Sequence, residues 1–217
     1  MFFEGIDMPY PYPYFDESGA RVSFTKSIQA LATTRPEEPF CAALSAVSAF
    51  SLDDIKDRVV APLRKGSLRS TDAFLKNSKG QYVFIEFKCE TESALASWGR
   101  GKTSSGCGAS RHETIQVVLR HKAIDSLYIA ALTELRDVPM HKIQRNAVLI
   151  VVHKDDPHSD SLLHFAGNLR RLAKSSESPP KTAILWDLAV LKDVGMYSDV
   201  LTLTESQFAV IGPRYVK

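Results

Sequence analysis

The sequence predicts a layered α/β domain, and three stretches carry that expectation. They are a pair of β-type runs over 70–89, a run with helical periodicity over 111–135, and a continuous apolar run of strand length over 146–153. Helix and strand patterns continue to alternate to the end of the chain. A chain of 217 residues is long enough for one sizeable core. A single domain over 1–217 is expected, with a Pro/Tyr-rich N-terminal arm over 1–35 and a mobile Gly/Ser loop over 94–110.

The arm is the least typical part. Met8-Pro9-Tyr10-Pro11-Tyr12-Pro13-Tyr14-Phe15 alternates proline with tyrosine, which removes backbone donors and favours an extended conformation with projecting rings. Such a segment either packs its rings on the body of the domain or serves as a ligand for a proline-recognising partner. Residues 16–19 read as a turn, and 23–33 as a strand or a short helix. Pro36-Glu37-Glu38 resembles the first turn of a helix, with acidic residues near its positive end, and the Ala-rich apolar run over 40–50 continues it. A second helical piece is expected from Ser51 to about residue 60, with Asp53 and Asp54 in its first turn. Cations over 64–69, among them Lys65 and Arg69, suit either a solvated loop or contact with phosphates.

The hairpin comes next. Ser70-Thr71-Asp72-Ala73-Phe74-Leu75 and Tyr82-Val83-Phe84-Ile85-Glu86-Phe87-Lys88-Cys89 flank a turn at Asn77-Ser78-Lys79-Gly80. Side chains alternate faces along a strand, so Tyr82, Phe84, Glu86 and Lys88 share one face, and Val83, Ile85, Phe87 and Cys89 the other. A fold about Ser78-Lys79-Gly80 pairs residues whose numbers add to about 158, which sets Asp72 opposite Glu86 at roughly 5 Å. Two facing carboxylates in a half-buried sheet repel unless a cation lies between them. A hard divalent ion resolves the conflict, since Mg²⁺ sits on one or two carboxylates plus waters and phosphate oxygens. Lys88 beside the pair would then orient water or stabilise charge on a phosphate. The plainer alternative is a solvated face carrying a weak cross-strand ion pair.

Beyond the hairpin, Trp98, Arg100 and Lys102 lie in the Gly/Ser loop, where a ring beside two cations suits closure over a polyanion. Residues 96–103 also meet a relaxed phosphate-loop pattern. Ser104-Ser105-Gly106-Cys107-Gly108 follows where that motif needs a helix, so no nucleotide triphosphate is expected. The helix over 111–135 has Ser110 as N-cap and Glu113 as capping-box partner; its Gln116 and Arg120 come about one turn apart, and these and Lys122 could reach a substrate. Residues 153–160 are rich in ligand-type side chains but lie where a loop hands over to a helix, which turn and cap chemistry explains. A helix over 161–175, strands over 182–188 and 200–203, and a short segment over 204–208 complete the reading.

Composition narrows the classes. The formal net charge of +2 makes the chain as a whole no polyanion magnet, so nucleic-acid contact has to come from a local patch. Cys41, Cys89 and Cys107 form neither a zinc pattern nor a disulfide framework, which fits a reducing cytoplasm. No apolar run reaches bilayer length, so a soluble protein without a membrane partner is expected.

Asp72, thirteen intervening residues and Glu86-Phe87-Lys88 on a strand resemble the motif of the PD-(D/E)xK nuclease-like superfamily, with Thr71 where that motif often has proline. The resemblance implies a restriction-endonuclease-like three-layer core, a mixed central sheet flanked by helices. Its order is a helix, a three-stranded antiparallel portion, a helix and a further strand. It also implies Asp72 and Glu86 as ligands of Mg²⁺ or Mn²⁺, the Phe87 carbonyl completing the coordination, and Lys88 as the catalytic lysine. The activity implied is hydrolysis of phosphodiesters in nucleic acid, DNA favoured, with Lys65, Arg69, Arg100, Lys102, Gln116 and Arg120 as candidate nucleic-acid contacts. The first core helix of the superfamily sometimes adds an acid, for which Glu37 and Glu38 are candidates. A catalytically inactive relative that binds nucleic acid or protein is the alternative. A homo-oligomer is compatible with the sequence.

Overall fold

Alternation along the hairpin strands sets the architecture, because both faces of β4 are apolar and both must be covered. The computed structural model describes residues 22–32, 46–60, 68–91, 95, 115–155 and 183–216. Within them lie β1 (Thr25–Ser27), α1 (Ile28–Ala32), β2 (Ser48–Ser51) and α2 (Leu52–Ile55), which runs into a π-type turn over Lys56–Val60. Then follow β3 (Ala73–Lys76), β4 (Tyr82–Thr91), α3 (Ile115–Leu132), α4 (Met140–Asn146), β5 (Ala147–Lys154), α5 (Ala183–Asp193), β6 (Asp199–Thr204), α6 (Glu205–Ile211) and α7 (Pro213–Val216). The strands form a six-stranded sheet in the order β1-β2-β3-β4-β5-β6. Neighbours from β1 to β4 are antiparallel, whereas β4, β5 and β6 run parallel.

The β3–β4 hairpin has the expected register. Ala73 pairs with Ile85, Phe74 with Phe84, Leu75 with Val83 and Lys76 with Tyr82, so the residue numbers of each pair add to 158. Turn chemistry fixes it. The Asn77 N–H donates to the Gln81 carbonyl (3.0 Å), and the Asn77 side-chain oxygen accepts from the N–H groups of Lys79 (3.0 Å) and Gln81 (2.9 Å). Gly80 adopts φ +77°, which a residue bearing a Cβ takes only under strain.

Each face of the sheet carries its own core. Phe74, Tyr82, Phe84, Leu149, Val151 and Val200 pack with residues of α2, α3, α4 and α5, while Val83, Ile85, Phe87, Ile150, Val152 and Leu201 pack with α1, α6 and α7. The result is a three-layer α/β arrangement. The parallel connections β4-to-β5 and β5-to-β6 carry α3 and α5 on the same face. Successive crossovers of one hand stepping the same way across a sheet must do so. No helix among the described residues is long and apolar enough to cross a membrane.

Several elements differ from the sequence expectation. Residues 23–33 supply both alternatives, since β1 passes directly into α1, so residues 22–32 of the expected arm belong to the layered core. The helix expected over 40–50 does not extend to its end. Residues 48–50 belong to β2, where Phe50 pairs with Phe74 and stacks on it at 6.1 Å. Of the strand expected over 182–188, residues 183–188 are instead the start of α5. Its apolar run suits either element by composition, and burial of Leu188 and Leu191, three apart, fits the helix, which ends at Asp193 and is followed by Gly195 with φ +72°. The helix from Ser51 is present, with the Ser51 hydroxyl accepting from the Asp54 N–H as N-cap. The expected helix over 161–175, the caps Ser110 and Glu113, and the Pro/Tyr segment lie outside the described residues.

Candidate functional site

The entry to β3 is clamped before Asp72 is reached. The Arg69 N–H donates to the Asp125 carboxylate (2.9 Å), the buried Thr71 N–H to the Ser126 hydroxyl (2.7 Å), and the Ser126 hydroxyl to the Thr71 hydroxyl (3.2 Å). Asp125 and Ser126 both belong to α3. Segment 69–71 is therefore anchored to the helix that covers the sheet, and Asp72 emerges from a fixed position just before β3. Its Oδ2 accepts the Phe87 N–H at 2.6 Å. N–H and C=O of one strand residue lie on the same edge, so the Phe87 carbonyl also faces the Asp72 side of β4.

Glu86 follows from the same register. It shares a face with Tyr82 and Phe84 and is 1% exposed, beneath α3. Two ammonium groups meet it. Lys88 Nζ lies 2.6 Å from Glu86 Oε1, and Lys122 Nζ lies 2.8 Å from Oε1 and 3.0 Å from Oε2. Lys122 also reaches Asp72 Oδ1 at 3.9 Å. Asp72, Glu86 and Lys88 thus come together as the sequence register requires, with a fourth member added by α3. Glu86 lies at the floor, while Lys88, Lys122 and Asp72 have side-chain exposures of 13%, 20% and 21%, so the cluster opens to solvent at one side. That opening is at the carboxyl end of β4, the end where ligands bind in open α/β sheets.

The electrostatics follow from burial and crowding. Burial raises the pKa of Asp72, the Glu86 charge raises it further, and Lys122, the Phe87 N–H and Lys88 offset this only in part, leaving it at about 7. For Lys122 burial acts against the charge, but Glu86 and then Asp72 outweigh it and hold the ammonium above its ordinary value. Asp53 behaves differently. Burial would raise it, yet hydrogen bonds from the Ser70 hydroxyl and from Lys56 (2.9 Å) bring it below the usual carboxylate range.

The sequence places Lys122 among the polar residues of α3 able to reach a substrate, but not among the ligands or nucleic-acid contacts, and it gives Asp53 only a helix-start role. Lys122 lies on the stripe formed by Ile115, Leu119, Ser126 and Ile129, which are all buried. A lysine at a position whose helical neighbours are all buried was the available signal. At 3.6 residues per turn Gln116 and Arg120 lie about 120° and 160° round α3 from Lys122, and Arg120 Nε is buried. Arg69 shares the clamp and has one guanidinium nitrogen, Nη1, buried. Lys65, Arg100, Lys102, Glu37 and Glu38 lie outside the described residues. His153, 2% exposed at the end of β5, pairs in register with Lys88, and its Nδ1 lies 3.0 Å from the Lys154 carbonyl oxygen. Asp155 beyond it accepts from the Ser206 N–H (3.2 Å) and hydroxyl (2.6 Å) at the start of α6, in keeping with cap chemistry there.

Among the described residues no group of three or more His, Cys, Asp or Glu side chains is placed to hold a metal ion. The donor set is instead two carboxylates aimed at one point from β3 and β4, with the Phe87 backbone edge between them. This suits an ion of the Mg²⁺ type, which takes one or two carboxylates and keeps several waters, rather than a closed zinc or calcium cage. The chain matches no protein-family model, no curated protein and no solved structure.

Proposed function

We propose that the protein is a metal-dependent nuclease hydrolysing phosphodiester bonds in nucleic acid, DNA favoured, on a restriction-endonuclease-like fold. The observation that carries this reading is the convergence of Asp72, Glu86 and Lys88 in one partly exposed cluster of charged side chains. The chain order supports it. α1, antiparallel β2, β3 and β4, α3 and then β5 parallel to β4 follow the order that the PD-(D/E)xK resemblance implies, with β1 added before α1, α2 inserted between β2 and β3, and α4 before β5.

Asp72 and Glu86 would hold Mg²⁺ or Mn²⁺, with the Phe87 carbonyl on the same edge. When bound, such an ion supplies Lewis-acid charge at a phosphate and makes water a competent nucleophile near neutral pH. Lys88, less buried than Glu86 and bonded to it, is positioned to stabilise negative charge on the phosphate or to exchange a proton with the attacking water. The Ser126–Thr71 and Asp125–Arg69 hydrogen bonds keep Asp72 in place, so its carboxylate does not have to be ordered when substrate arrives.

A second reading is favoured by a specific observation. Two ammonium groups already neutralise the two carboxylates, as they would in a catalytically silent relative that binds nucleic acid or protein. Incubating supercoiled plasmid with the purified protein and Mn²⁺ distinguishes the two. Nicking that is abolished in Lys88→Ala and Asp72→Ala supports the nuclease; cleavage undiminished in either variant, or absent from the wild type, refutes it.

A further inference from the structure

The charge balance of the pocket points to a role for Lys122 that the nuclease motif does not contain. Asp72 and Glu86 are the two carboxyl groups of the cluster, and Lys88 and Lys122 its two ammonium groups. The ammonium of Lys122 is within 3.0 Å of both Glu86 oxygens and 3.9 Å from Asp72 Oδ1, a position from which it reaches both carboxylates. A cation bridging the same carboxylates would need that space. We infer that Lys122 is a built-in counter-ion that stands in for the divalent cation between Asp72 and Glu86, and has to leave Glu86 before a metal can bind. This rests on the metal site of the proposed nuclease and adds a competitor to it.

The placement is specific. Lys122 occupies a stripe of α3 whose other members, Ile115, Leu119, Ser126 and Ile129, are buried, so its side chain is directed at the sheet by the helix. Its unbranched stem and 20% side-chain exposure allow the ammonium to swing toward the open side while the helix stays docked. Replacing one positive charge by two leaves the pocket with excess positive charge. The released ammonium can then pair with an anionic ligand such as a phosphodiester, so Lys122 links metal entry to substrate.

The experiment titrates Mn²⁺ alone, by calorimetry, into wild type, Lys122→Met, Lys79→Met and Lys122→Met/Asp72→Ala. Thermal unfolding with and without Mn²⁺ is followed in parallel. Lys79 is an exposed cation in the hairpin turn, away from the pocket, and controls for net charge. The expected result is Mn²⁺ binding at least tenfold tighter in Lys122→Met than in wild type and unchanged in Lys79→Met. The stability lost in Lys122→Met without metal should return on adding Mn²⁺. Equal or weaker binding in Lys122→Met, or an equal gain in Lys79→Met, overturns the inference while leaving the metal site standing. Absence of Mn²⁺ binding from all proteins, or its survival in the Asp72→Ala double variant, overturns the metal site and the inference with it. Should Lys122→Met fail to fold, Lys122→Gln, neutral and able to donate to Glu86, is expected to move affinity in the same direction and is read by the same criteria.

Discussion

Glu86 and Lys122 form the charged contact that joins the sheet to α3, and a double-mutant cycle on them tests whether it exists in solution. Removing one partner of a buried ion pair destabilises by about 3–5 kcal/mol, chiefly by leaving the other charge uncompensated. The structure ranks the two single variants. In Lys122→Met, Glu86 keeps Lys88 at 2.6 Å, so the loss is expected at the lower end, about 3 kcal/mol. In Glu86→Gln both ammonium groups lose their common carboxylate, placing it at the upper end, about 5 kcal/mol. In a chain of 217 residues these losses correspond to Tm decreases of about 6–12 °C and 10–20 °C. The double variant leaves one carboxylate, Asp72, and one ammonium, Lys88, so its loss should be about 3–4 kcal/mol, well below the sum of the single losses. Urea unfolding followed by circular dichroism, in the presence of a chelator, measures all four proteins. Single effects that add to within about 0.5 kcal/mol would refute the pairing.

Asp72 gives stability a defined pH dependence when no metal is present. Its folded pKa of about 7 lies above the ordinary 3.8, so the folded state holds the proton more tightly, and the associated stability is lost as pH rises from about 4 through about 7. Relative to Asp72→Asn, which does not titrate, the wild type should lose up to about 4 kcal/mol across that window and no more above it; parallel pH profiles would contradict the crowding of Asp72 against Glu86. Ser126→Ala leaves the buried Thr71 N–H without its acceptor and should destabilise by about 1–3 kcal/mol. The same variant should reduce nicking, since the clamp positions Asp72, and an unchanged stability would show that the Thr71 N–H finds another partner.

The part of the site contributed by β3 and β4 was legible in the sequence because strand geometry is stiff. Period-2 alternation and a turn requiring positive φ at Gly80 left one register, and that register brings Asp72 to Glu86. The contribution of α3 was harder to read. Gln116, Arg120 and Lys122 are all polar positions on one helix, and only the stripe of buried neighbours marks Lys122 as the one aligned with residues that face the sheet. Asp53 looked like helix-start chemistry, and its bond from Ser70 joins residues far apart in sequence, which local patterns do not record. The same limit explains α5 and β2. A continuous apolar run specifies burial without a period, and the partner element decides whether it becomes helix or strand.

The most direct test of the account is a crystal soaked in Mn²⁺ and measured at a wavelength where manganese scatters anomalously. The account predicts one strong anomalous peak about 2–2.5 Å from carboxylate oxygens of both Asp72 and Glu86, with the Lys122 ammonium moved off Glu86. A fully soaked crystal with no peak there, and with Lys122 still bonded to both Glu86 oxygens, would contradict it.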